Sequence, residues 1–107
     1  MPEQGTLGWR FKSGLTLEEM QALLSKMGVA GWSLGDSERL GDYLGGRLTE
    51  EAVGRIYKVK DGYVVNLRFF SKEGDAAAQL GLAKKRLLEE ILPAVSARDV
   101  KAAEPLD

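Results

Sequence analysis

Residues 53–71 read VGRIYKVKDGYVVNLRFFS. Two runs rich in β-branched and aromatic residues flank Asp61-Gly62, and an Asp-Gly pair between such runs is a strong short-range signal for a β-hairpin. A two-residue turn there pairs Lys60 with Tyr63, Lys58 with Val65 and Ile56 with Leu67. Side chains alternate across a strand, so the pairing also sorts the two faces. One face collects Ile56, Tyr63, Val65, Leu67 and Phe69. The other collects Arg55, Tyr57, Val59, Val64, Asn66, Arg68 and Phe70. The first set is the more apolar near its middle and is predicted to meet the core.

Helical patterns flank the hairpin. Upstream, Thr16 and Glu19 have capping-box spacing, with Leu15 and Met20 placed as a hydrophobic staple around them. Leu17, Met20, Leu24 and Met27 then mark one apolar face, which predicts a helix over 17–27 closed by Gly28. Downstream, Asp75 is the expected N-cap, and Ala76, Leu80, Ala83, Leu87 and Ile91 share a stripe. That helix is predicted to end near Leu92, with Pro93 stopping it. Lys84, Lys85, Arg86, Glu89 and Glu90 read as its solvated face.

Strands are expected at both ends. Thr6–Ser13 sets Trp9 and Phe11 on one face and Arg10 and Lys12 on the other. Val95–Lys101 is a weak last strand. Between the first helix and the hairpin, Gly35, Gly41, Gly45 and Gly46 punctuate a polar segment, which reads as a loop or a single helical turn capped by Ser37. Additional strands at Trp32–Leu34 and Tyr43–Leu48 are the alternative.

This order gives an α+β fold, the ferredoxin-like β-α-β-β-α-β plait, in which an antiparallel sheet carries two helices on one face and leaves the other open. The architecture hosts many unrelated functions and so assigns none. A length of 107 residues fits a single domain spanning 1–107, with residues 1–5 and 102–107 as the expected flexible ends.

The composition narrows the chemistry. The sequence has no Cys and no His, which removes disulfides, thiol and imidazole catalysis, and metal sites built on thiolate or imidazole. No phosphate-cradling GxxxxGK[ST] or GxGxxG string occurs. No catalytic residue, metal or cofactor is expected. The chain lacks an apolar run of ~18 residues and a secretory leader pattern, so the expected location is cytoplasmic and away from membranes. Fifteen Lys and Arg against sixteen Asp and Glu leave a net charge of −1, which gives no bulk attraction to nucleic acid.

Two groups of residues stand out. Asp36, Ser37, Arg39, Asp42 and Tyr43 crowd one Gly-rich stretch. Clustered carboxylates suit hard cations, yet a calcium loop needs oxygen ligands where Leu40 and Arg47 stand, so a solvated loop without metal is the favoured reading. A small-molecule pocket or an enzyme at residues 36–43 is the remote alternative. The second group is the open sheet face, where Arg10, Lys12, Arg55, Tyr57, Arg68 and Phe70 are expected together. Basic and aromatic side chains on a sheet suit either stacking on single-stranded nucleic acid or an interface between proteins. The favoured reading is a non-enzymatic interaction domain that self-associates as a homo-oligomer, or meets a partner protein, through this face. Nucleic acid or another anion is the alternative.

Overall fold

The structure, a computed structural model, describes residues 3–29, 31–49, 52–71 and 76–105. Six strands form one antiparallel sheet: β1 (Glu3–Lys12), β2 (Ser33–Ser37), β3 (Gly41–Thr49), β4 (Ala52–Val59), β5 (Gly62–Ser71) and β6 (Arg98–Ala103). Their order across the sheet is β2-β3-β4-β5-β1-β6. The α+β class therefore stands, but the expected four-stranded plait is replaced by a six-stranded sheet. The four strands expected from the sequence are neighbours, and β2 and β3 extend the sheet beyond β4.

The reason lies in the glycines of residues 33–50. They were expected to break the chain, and instead most sit inside strands where a ring needs room. A Cβ on Gly46 would lie 2.4 Å from the Trp32 ring, and one on Gly35 would lie 2.5 Å from the Tyr43 ring. Such close approach is a recognised role for strand glycine. The additional strands raised as an alternative are what forms, within bounds of Ser33–Ser37 and Gly41–Thr49. Trp32 itself is 6% exposed, and its indole N–H has no hydrogen-bond partner among the described residues.

The hairpin forms with its register displaced by two residues. Lys58 pairs with Tyr63, Ile56 with Val65, and Val59 with Gly62, so Lys60 and Asp61 make the turn. An Asp-Gly turn of the expected kind needs positive φ at both residues. Here Asp61 is not among the positive-φ residues, while Gly62 has φ +149° inside β5. A Cβ on Gly62 would lie 2.6 Å from the Phe11 carbonyl oxygen, so the glycine serves the packing of β5 against β1. A displacement of two residues preserves the faces. Ile56, Tyr63, Val65, Leu67 and Phe69 all join the core with Trp9 and Phe11.

Helix α1 (Leu17–Lys26) forms as its sequence dictates. The Glu19 N–H donates to Thr16 Oγ1 at 3.1 Å, and the Thr16 N–H donates to Glu19 Oε1 at 2.9 Å. At its end Val29 N–H donates to the Leu24 carbonyl and Gly28 N–H to that of Ser25, a Schellman closure around Gly28 at φ +83°. Met20 and Leu24 are fully buried.

Helix α2 (Ala76–Arg86) runs on through a π-turn (Leu87–Ile91) into a last turn, Leu92–Ala94. Pro93, expected to stop the helix, instead lies within its last turn. In an unbroken α-helix its ring would meet the Glu89 carbonyl. The widened turn, closed by Leu92 N–H to the Leu87 carbonyl, comes directly before it. Ala83, Leu87, Ile91, Leu92 and Val95 pack into the core. The expected N-cap, Asp75, lies outside the described residues. After the helix Ser96 takes φ 56°, and the last strand starts at Arg98, later than the expected Val95. Glu3–Gly5 belong to β1 and Ala102–Ala103 to β6; Met1, Pro2, Leu106 and Asp107 lie outside the described residues.

Candidate functional site

The sheet face away from the core is not evenly open. The turn joining β2 to β3 borders its centre, and a groove of about 360 Å³ lies between that turn and strands β4, β5 and β1. Gly41 at φ +82° brings the chain out of the turn, and the Leu40 N–H donates to Ser37 Oγ at 3.3 Å within it. Ser37, Arg39 and Leu40 form one wall of the groove. Arg55, Tyr57, Asn66, Arg68 and Phe70 lie across the rest, with Thr6 and Val53 beside them.

Three arginines, Arg39, Arg55 and Arg68, thus line one cavity. No carboxylate occurs among the described residues lining it. Two of the three lie on aromatic rings. The Arg55 guanidinium carbon is 4.6 Å from the centroid of Tyr43, and that of Arg68 is 5.5 Å from the centroid of Phe70. Tyr43 and Tyr57 are themselves 5.6 Å apart, tilted by 49°. Gly45 makes room for this stack, since a Cβ there would lie 3.2 Å from both Arg55 Cγ and the Tyr43 ring. A hydrogen bond from Arg55 to Tyr57 pushes the Arg55 pKa up, against the smaller effect of burial. The charge is fixed, and its carrier is braced.

The structure divides the residues picked out by sequence. Arg55, Tyr57, Arg68 and Phe70 of the sheet group meet Ser37 and Arg39 of the loop group in this groove, and Tyr43 braces it from β3. Arg10 and Lys12 do not join them. They border a different hollow with Asp61, Asp99 and Lys101 at the far end of β1. Asp36 and Asp42 face each other across the β2–β3 pair and line a cavity of about 780 Å³ beneath the first turn of α1. Glu18 and Lys58 also reach that cavity, and Lys58 Nζ sits 4.6 Å from the centroid of Tyr63. Asp36, Asp42 and Glu18 are exposed, so water solvates them. Among the described residues no three acidic side chains are grouped as a metal site.

Sequence reasoning missed Thr6, Leu40 and Val53, and it put Asn66 on this face without giving it a role. Asn66 is the only Asn of the chain and lies buried in the groove floor. A lone amide between Val64-Val65 and Leu67 was the available signal, since buried polar side chains are uncommon and hydrogen-bonded. Tyr57 was expected to be an accessible anchor and is 4% exposed. No described helix is long and apolar enough to cross a membrane. A scan against protein-family models finds no match to this chain, and a search of curated proteins finds no significant relative.

Proposed function

We propose that this chain is a non-catalytic binding domain that takes an anion in the groove on the open sheet face. The observation that carries the reading is the grouping of Arg39, Arg55 and Arg68 around one cavity without a carboxylate among its described lining residues. Guanidinium groups are weakly hydrated and present planar donor pairs, which suits anionic oxygen ligands. Aromatic stacking holds two of them in place before any ligand arrives. We also infer that the fold is a plait widened by the β2–β3 hairpin, because the four strands expected from the sequence remain neighbours.

Thermal unfolding in phosphate, sulfate and citrate tests the reading. A ligand bound by the native state raises its melting temperature. Excluded salts also stabilise proteins generally, so the comparison that matters is with an Arg55→Gln/Arg68→Gln variant. The parent should gain several degrees more than the variant at equal ionic strength. Equal gains would overturn the reading.

Self-association through the same face is the second reading. Phe70, 37% exposed on that face, supports it as the aromatic group a second copy could reach. Burial of Tyr57 within the single chain weighs against it.

A further inference from the structure

We infer that the anion is the terminal phosphate of a small phosphate monoester, and not a nucleic-acid strand. The inference rests on the anion-binding reading above and adds the ligand class to it. A single strand is held by base stacking on free aromatic faces along a basic track. The aromatic faces a strand would stack on are already taken. The faces of Tyr43 and Phe70 already carry Arg55 and Arg68, and Tyr57 is buried. Arg10 and Lys101, opposite each other on β1 and β6, are further basic residues on this sheet face, but they do not line the groove. Arg39, Arg55 and Arg68 share one cavity, while Arg10 and Lys12 stand apart beside Asp61 and Asp99.

Three guanidiniums match the three unshared oxygens of a monoester, which carries about −1.5 to −2 charge at neutral pH. A diester linkage offers two such oxygens and one charge. The groove, at about 360 Å³, is within the range of roughly 300–1,000 Å³ that small-molecule sites occupy. It is also larger than a bare phosphate requires. Leu40, Val53 and Phe70 give apolar surface to a lining that also holds Thr6, Ser37, Tyr57 and Asn66, which suits an organic body on the phosphate.

Calorimetric titration with phenyl phosphate, methyl phenyl phosphate, phenol and a single-stranded oligonucleotide tests this. Phenyl phosphate should bind saturably, with phenol silent and the diester at least about tenfold weaker. Arg55→Gln, Arg68→Gln and Arg39→Gln should each weaken phenyl phosphate by about tenfold or more, as lost hydrogen bonds to charge do. Arg10→Gln should leave it unchanged. Circular dichroism checks that each variant is folded, and Arg39 on its turn is the variant least coupled to the sheet. Binding should weaken as pH falls through about 6, where a monoester takes up its second proton. Oligonucleotide binding without phenyl phosphate binding sinks the monoester assignment and leaves the anion reading standing. Binding of no anion in any arm sinks both.

Discussion

At the scale of single residues, much of this molecule is decided by where a side chain is missing. Gly46 and Gly54 lie under the Trp32 ring, which is buried against them. Gly46→Ala should therefore cost about 1–3 kcal/mol, the usual range for overpacking. Gly14→Ala, where a Cβ would meet nothing within 4 Å, should stay within about 0.5 kcal/mol. Urea denaturation of the pair checks this, and equal effects would remove Trp32 from its seat. Tyr63 gives a pH-dependent counterpart. Its hydroxyl donates to the Leu15 carbonyl, and burial, helped by nearby Glu19, raises its pKa above the ordinary 10.0. A raised folded pKa favours the neutral phenol in the fold. Its contribution is complete below pH 10 and declines as pH rises through the folded value. Tyr63→Phe should cost about 1 kcal/mol at neutral pH by losing the hydrogen bond. Above pH 10 its stability should fall less steeply than the parent's.

At the scale of elements, legibility followed the range of the forces involved. Helix α1 was readable almost to the residue because Thr16, Glu19 and Gly28 act within one turn of their own positions. The faces of β4 and β5 were readable because alternation survives a displacement of two residues. The register was not, since it answers to the contact of Gly62 with Phe11 on another strand. Strands β2 and β3 are legible only as an alternative to a loop, because a glycine under a distant ring looks the same in sequence as a glycine in a turn. The groove was legible in composition but not in assembly. Its parts, Arg39 in one segment and Arg55 and Arg68 in another, meet only through the path of the β2–β3 turn. That path rests on Gly41 at φ +82°, a conformation a β-branched side chain resists. Gly41→Val should thus cost on the order of 1–3 kcal/mol and weaken phosphate binding together. Strong destabilisation with unchanged affinity would show that the turn does not shape the groove.

At the scale of the whole molecule, the open face has two potential uses, and the state of Tyr57 separates them. If Tyr57 were an exposed interface anchor, Tyr57→Asp would yield a stable monomer. Because it is 4% exposed within the single chain, that change buries a charge and should cost several kcal/mol, unfolding a protein of ordinary stability. Phe70→Asp, by contrast, should leave the fold intact. Sedimentation velocity of the parent should show one monomeric species across a hundredfold range of concentration. A dimer in the parent that Phe70→Asp dissociates would transfer the open face from anion binding to self-association.

The position of β1 has a consequence for how the chain is made. It is the earliest of the six strands to leave the ribosome, yet it lies between β5 and β6, with Trp9 opposite both Val65 and Ala102. The run from β2 to β5 can zip up from neighbours in sequence. The first strand must wait with both rows of its peptide groups unmatched until β5 has been translated, and with one row still unmatched until β6 follows. Distant pairings of this kind slow folding, and unmatched strand edges invite intermolecular pairing in the meantime. A nascent chain stalled before Arg98 would hold a completed meander and a half-clasped β1. Chains stalled there should aggregate during synthesis where chains that include β6 do not.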